Sequence, residues 1–574
     1  MEKKLKKLPI GIQGFRQIIE NDYLYVDKTK YLYNLIKSGQ VYFLSRPRRF
    51  GKSLTCSTFE EIFAGNKELF KGLYIYNSDY EWKKHPIIKI SFSGIAHDSK
   101  ENFLINLNQK LIDIGNQYNI NLSGREILNS KIEFLIKELA KNFENNPVLI
   151  VDEYDYPLVA NITKLDLAQE LREVLQAFYN TVKTCSENLN FIFITGVSKF
   201  SRTSIFSSMN NLKDISLDER VSTSFGYTKK EILENFTDYI TRFAEKKQIT
   251  NEQIIQELTE WYDGYCFQEP PYAAPEPKAM ADRPVASDSA KATTDKTEGR
   301  SNDLPESYKI YNPFSILLAL DMQSIDNYWF QSGTPTFLIN LIKEQDYPIL
   351  KLEEKAEINK GNMCKYEIGH VPLENLLFQT GYLTITDYNK KTFNFTLGYP
   401  NQEVRLSFTK DIIESMTKLE VTKYSNYIEE FRSTLFSNDL EDFFKAIHTF
   451  FASIPYDIQI NSAKKKTLSH EKQMGIEKYY QSIFYVTMKL VGANVQVENR
   501  TNIGRIDAVV KTNTHVYIIE FKINKTSDKA LDQIHDRKYY EKFRLENKKL
   551  VLIGLNFDLK EKNILESDWV VQEL

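Results

Sequence analysis

The sequence predicts an α/β protein: a parallel sheet with helices on both faces, then a mostly helical middle region, then a smaller C-terminal α/β unit. Three observations carry this. Short apolar runs at 41–45, 87–93, 148–152 and 191–195 alternate with helical patterns at 102–118, 130–142 and 166–186, the signature of parallel strands joined by crossover helices. Residues 311–460 read as mostly helical, with aromatic-rich turns. The last hundred residues read as a helix (475–491), strands (494–499, 505–511, 516–523), a helix (528–544) and a strand (549–555). Thr228-Lys229-Lys230-Glu231 predicts a capping box opening the helical stretch 228–263.

The expected segments are 1–235, a helical extension 236–268, an insertion 269–306, a middle domain 307–460 and a C-terminal domain 461–574. The insertion holds Pro270, Pro271, Pro275, Pro277, Pro284 and Pro305 with almost no aromatics. Such a composition buries too little surface to order itself.

At 574 residues the chain is too long for one core. Its 74 Lys+Arg and 77 Asp+Glu give a net charge of −3, so a nucleic-acid contact needs a local patch. Cys56, Cys185, Cys266 and Cys364 are scattered, without metal or disulfide spacing, which fits a reducing cytoplasm. The basic N-terminus has no apolar stretch behind it, so no secretory signal is expected. No run approaches the ~18 apolar residues of a membrane span.

The most informative stretch is Arg46-Pro47-Arg48-Arg49-Phe50-Gly51-Lys52-Ser53. It follows the apolar run Val41–Leu44 and precedes a helical run from Leu54 to Phe63. A strand, a tight loop ending Gly-Lys-Ser and a helix form a phosphate-binding layout, because free backbone N–H groups and the helix N-terminus attract anions. Gly51, Lys52, Ser53 and Leu54 would cradle ATP. Lys52 would reach the β/γ-phosphates, and the Ser53 hydroxyl would hold Mg²⁺. Arg48 and Arg49 are candidate phosphate contacts. The usual pattern wants Gly at position 46, where Arg46 stands.

Val148-Leu149-Ile150-Val151 followed by Asp152-Glu153 supplies the second element. A continuous apolar run reads as a strand buried on both faces, and its C-terminal end is where α/β sheets place ligands. Asp152 would hold the Mg²⁺, and Glu153 would polarise the attacking water. A third strand, Phe191–Ile194, ends in Thr195-Gly196-Val197-Ser198-Lys199. Thr195 or Ser198 is a candidate sensor of the γ-phosphate, and Lys199 or Arg202 a source of positive charge.

A second constellation lies near the C-terminus. Glu520 and Lys522 share one face of their strand, because side chains repeat every two residues. A hairpin with the strand 505–511 would set Asp507 across from Glu520. Paired carboxylates suit a hard cation such as Mg²⁺, which lowers the pKa of bound water and stabilises charge on phosphate. Lys522 would support that charge. Glu477 is a candidate third acid, and Gln533 a candidate contact from the following helix.

The N-terminal motifs LPIG (Leu8–Gly11), YVDKT (Tyr25–Thr29), RPRRFGKSL and VDEYDYP resemble the bacterial AAA-ATPase-like family, as do ITGVSKFSR, FGYTKKEI, WYDGY (Trp261–Tyr265), YNPFS and YWFQSGTP. In that family the phosphate loop commonly reads RPRRFGKS. The C-terminal stretch resembles the PD-(D/E)XK nuclease-like domain joined to it, with a restriction-endonuclease-like fold. Asp507, Glu520, Lys522, Gln533 and Glu477 fall on its motif, and Ile506 replaces its Pro. The resemblance covers nearly the whole chain except 269–306. It implies an ATP-binding P-loop protein with a nuclease domain. Together with the carboxylates, cysteines and hydropathy above, the expectation is an ATPase coupled to a Mg²⁺-dependent nuclease acting on nucleic acid, cytoplasmic and without membrane contact. The alternative is a nucleotide-controlled switch whose nuclease-like domain binds without cutting. The reading leaves room for an oligomer in which a neighbouring subunit donates an arginine.

Overall fold

A computed structural model describes residues 5–199, 205–206, 209–269, 308–330, 338–339, 341–342, 356–361, 363, 372–454, 483–484, 486–488, 490–491, 494–500, 505–558, 561, 563–565 and 568–574. Side chains of 421, 494–500, 505–507 and 523 are outside this description. So are Arg202, Glu477, nearly all of the 269–306 insertion and most of the 475–491 segment. The chain divides into two compact units. One comprises Met1–Ser332 with Lys355–Val404, the other Gly333–Glu354 with Arg405–Leu574.

The first unit is built on five parallel strands: β1 (Val41–Ser45), β2 (Ile87–Ser91), β3 (Val148–Asp152), β4 (Phe191–Gly196) and β5 (Lys213–Asp214). Their order is β2-β3-β4-β1-β5, so β4 lies between the phosphate-loop strand and the strand ending in the two acids. β1, β3 and β4 are almost wholly buried, as uninterrupted apolar runs require. Tyr42, Leu44, Val148, Ile150, Phe191 and Phe193 pack against Cys56, Phe59, Ile62 and Phe63 of the helix Lys52–Phe63, which fixes the phosphate loop over the sheet edge. The helices Lys100–Gln117, Leu128–Asn142 and Leu165–Thr184 fall where periodicity places them. The strand expected over 87–93 stops at Ser91, because Phe92–Gly94 curls into a 3₁₀ turn that buries Phe92. Thr228 and Glu231 form the expected capping box.

The middle region adds a structure that the helical reading did not contain. β6 (Ala356–Asn359), β7 (Thr384–Asn389) and β8 (Asn394–Gly398) make an antiparallel sheet in the order β6-β8-β7. These strands are short and half-exposed, and β7–β8 is interrupted by a bulge at Ile385/Asp387, so their alternation is weak in the sequence.

The second unit holds the mixed sheet β13-β12-β11-β10-β9: β9 (Asn494–Arg500), β10 (Arg505–Lys511), β11 (His515–Ile523), β12 (Lys549–Phe557) and β13 (Trp569–Glu573). β9, β10 and β11 pair antiparallel, β11 and β12 parallel. The helix expected over 528–544 is two pieces, Ser527–Asp536 and a 3₁₀ helix Tyr539–Phe543, separated by Lys538 at φ +47°. The break lets Tyr539 and Phe543 join Val509, Val516, Ile518, Ile534 and Leu552 in the core. β13 is an additional edge strand whose mostly half-exposed residues give little apolar signal.

Candidate functional sites

The loop after β1 combines a left-handed residue, a glycine and a helix start. Arg49 has φ +71° and Gly51 φ +78°, and Gly51 caps the helix Lys52–Phe63. Those are the two turns that the loop needs, and Arg46 is at neither, which is why glycine is dispensable there. Arg46 is instead a buried strut. It is 1% exposed, with Nη1 donating to the Ser216 and Ser45 carbonyls at 2.5 and 2.9 Å. Its guanidinium sits 4.4 Å from the Phe267 ring centre and 5.5 Å from that of Phe225. Burial pushes its pKa down to about 9.

Lys52 is buried, and its Nζ donates to the Arg46 and Pro47 carbonyls at 2.8 Å each. Burial lowers its pKa, opposed by Asp152, Glu153 and Asp155. Asp152 ends β3, and its Oδ1 accepts from the Thr195 hydroxyl at 2.5 Å. Glu153 follows in a left-handed conformation, φ +53°, uncommon for a side chain with a Cβ. Arg48, Arg49, Gly51, Lys52, Ser53, Leu54 and Glu153 line one cleft of ≈330 Å³, within the range of small-molecule sites. Ser198 is fully buried, and its hydroxyl and peptide N–H both donate to Asp155. Burial raises the Asp155 carboxyl despite these bonds. The Lys199 ammonium pairs with Asp214.

In the second unit, Glu520 is 1% exposed in the centre of the sheet. Its Oε1 accepts from Lys522 Nζ at 2.9 Å and from Gln533 Nε2 on the helix Ser527–Asp536. The antiparallel register sets Ala508 opposite Ile519 and Val509 opposite Ile518. Continued one step beyond these pairs, the same register would set position 507 opposite 520. Glu477 and the Asp507 side chain lie outside the described residues. Among the described residues no group of three His, Cys, Asp or Glu side chains stands in position to hold a metal ion.

Comparison with known proteins places two stretches of the chain in described families. The sequence model of a family described as "Predicted AAA-ATPase" matches residues 9–206, and that of the PD-(D/E)XK nuclease superfamily matches 475–567. A protein of Azotobacter chroococcum mcd 1, described as an uncharacterized protein in the vnfD 5′ region, is 33% identical over 577 residues, 99% of either chain. The chain belongs to this AAA-ATPase-like family with a C-terminal PD-(D/E)XK domain. A solved structure of the Aeropyrum pernix ORC1 protein in complex with DNA aligns with 69% of this chain and 96% of its own, at 10% identity and a TM-score of 0.22, too low to carry an argument.

In this AAA-ATPase-like chain, sequence reasoning missed half of the cleft wall. Pro9, Gly11, Ile12 and Gln13 come from the N-terminal LPIG stretch and its neighbours, Tyr227 from the segment before the capping box, and Pro313, Phe314 and Leu317 from the YNPFS helix. These residues carry resemblance but no chemistry of their own, so only the fold could gather them. Asp155 was missed for a similar reason. Its role is to anchor the Val197 and Ser198 peptides through three N–H···O contacts of 2.6–3.2 Å.

Proposed function

We propose that this protein is an ATPase whose nucleotide state controls a Mg²⁺-dependent phosphodiesterase acting on nucleic acid. One observation carries the first half: Lys52, Ser53, Arg48, Arg49 and Glu153 line a single cleft, with the Asp152–Thr195 pair at the ends of the two adjoining strands. ATP phosphates would meet the N–H groups at the start of the helix Lys52–Phe63. Lys52 Nζ, held on two loop carbonyls, would turn to the β/γ-phosphates. The Ser53 hydroxyl and Asp152 are hard oxygen donors that fit Mg²⁺, which when bound neutralises phosphate charge. Glu153 orients and polarises the attacking water. Thr195 fixes the Asp152 carboxylate.

In the PD-(D/E)XK domain, Glu520 would supply oxygen donors together with Asp507 from the antiparallel neighbour strand, with Glu477 as a third acid. Mg²⁺ held there supplies Lewis acidity at a scissile phosphate. Lys522 balances charge at Glu520, and Gln533 fixes the orientation of that carboxylate. Buried Cys56, Cys185 and Cys266 are free thiols, in keeping with a cytoplasmic setting. No helix among the described residues is long and apolar enough to cross a membrane.

The test is a cleavage assay on plasmid and single-stranded DNA with Mg²⁺ or Mn²⁺, with and without ATP. Cleavage whose rate changes with ATP supports the reading. Binding of DNA without cleavage, in wild type and under every nucleotide state, would replace it with a nucleotide-controlled binding switch.

A further inference from the structure

The aromatic-rich motifs WYDGY, YNPFS and YWFQSGTP have no part in the chemistry above, yet their described residues gather around one carboxyl. Glu403 is fully buried. Its Oε1 accepts from the Trp329 peptide N–H at 2.7 Å, and its two oxygens accept from the Ser315 hydroxyl at 3.1 and 2.8 Å. Among the described residues no lysine or arginine pairs with it. A buried carboxylate without an ion pair is costly, so its hydrogen bonds must hold something in place.

Both partners are one step from the phosphate loop. Trp329 donates its indole N–H to the Arg48 carbonyl at 3.3 Å. Phe314, the neighbour of Ser315, carries the Arg49 guanidinium 4.5 Å from its ring centre and lines the cleft. The loop is buttressed on the same side by Gly381, where a Cβ would stand 2.7 Å from Pro47 Cβ.

We propose that Glu403 is a positioning residue for the nucleotide: as a carboxylate it pins Ser315 and Trp329, and these set Phe314 against Arg49 and the indole against the Arg48 carbonyl. The inference rests on the ATP-binding reading of the cleft. Charge-assisted bonds from a carboxylate are about twice as strong as neutral ones, so protonation loosens the clamp.

Burial raises the Glu403 carboxyl to about 7. The titratable groups that face it are Asp326, whose charge adds to the rise, and the hydroxyls of Tyr262, Tyr265 and Tyr328, which burial keeps protonated. Two opposite trends follow. A carboxyl raised in the fold favours the protonated state, so its contribution to stability is present below its unfolded pKa and is lost as pH rises through about 7. Nucleotide affinity, by contrast, rises over the same range as the clamp becomes charged.

The experiment uses the full chain as wild type, Glu403→Gln, Ser315→Ala and Trp329→Phe. Affinity for fluorescent ATP and thermal midpoint are measured between about pH 6 and about pH 8.5. The γ-phosphate titrates nearby, so the readout is the difference between wild type and Glu403→Gln. Wild-type affinity should rise about three- to tenfold relative to the glutamine variant, while its thermal midpoint falls relative to that variant. Trp329→Phe, which keeps an aromatic ring but loses the indole N–H and the ring that carries it, should weaken ATP about threefold at every pH. Ser315→Ala should reduce the pH-dependent rise and serves if Glu403→Gln fails to fold. Parallel affinity curves for wild type and Glu403→Gln, with only the midpoints diverging, would reduce Glu403 to a structural group and overturn the proposal. A wild type that binds no ATP at any pH would instead overturn the underlying reading of the cleft.

Discussion

The two sites are built in different ways. The phosphate loop is held by backbone: two left-handed residues, Arg49 and Gly51, then a helix start, at the ends of buried parallel strands. The constellation around Glu520 is held by side chains within a strand, where Lys522 and Gln533 converge on one carboxylate oxygen. A backbone site tolerates changes at its flanks and depends on one or two side chains for charge. A side-chain site spreads its restraint over a network, each member holding part of it, because buried polar groups hold one another in place. Substitutions should therefore act sharply at the first site and in graded steps at the second.

The largest effect is expected from Lys52→Ala. Among the described residues it removes the one buried cation that lines the cleft beside Ser53 and Glu153, and each charge-assisted bond lost is worth about 1.5–3 kcal/mol. Fluorescent ATP should bind at least about a hundredfold more weakly. Unchanged affinity would remove the basis for the nucleotide site. At the second site, Glu520→Ala should lower cleavage by about a hundredfold or more while leaving ATP affinity alone. Equal cleavage by wild type and variant would trace the activity to a contaminant.

Arg46→Gly sharpens the contrast, because it restores the usual phosphate-loop pattern and yet should harm the protein. Arg46 is a 1% exposed strut between Phe225 and Phe267, with φ outside the region that needs glycine. Its loss leaves a cavity and two unserved carbonyls, a cost of about 3 kcal/mol. Chemical denaturation should register that loss, with ATP affinity changing only a few-fold. A stable variant with tighter ATP binding would mean that position 46 does serve the loop.

The same contrast governs what the sequence discloses. β1, β3 and β4 were legible because strands buried on both faces write continuous apolar runs, and their ends then located Lys52, Asp152 and Thr195. β6, β7 and β8 were not, being short, half-exposed and bulged. Gln13, Tyr227 and Phe314 reach the cleft from segments distant in the chain, and nothing in their own residue types marks them. Asp155 and Glu403 are isolated carboxyls whose meaning lies in burial and partners. The break at Lys538 follows from the demand of Tyr539 and Phe543 for the core, a tertiary cause that overrides helix periodicity.

The smallest effect tests the graded character of the second site. Gln533→Ala removes a donor to Glu520 Oε1 but leaves Lys522 on the same oxygen. The carboxylate keeps its charge and loses one restraint on its orientation, worth about 1 kcal/mol. Cleavage should fall about five- to tenfold, far less than for Glu520→Ala, with thermal stability nearly unchanged. Gln533→Glu would set a second carboxylate against Glu520 and should cost more, through like-charge repulsion in a buried site. If Gln533→Ala were as damaging as Glu520→Ala, Gln533 would contact the substrate itself, and the second site would depend on single groups as sharply as the phosphate loop does.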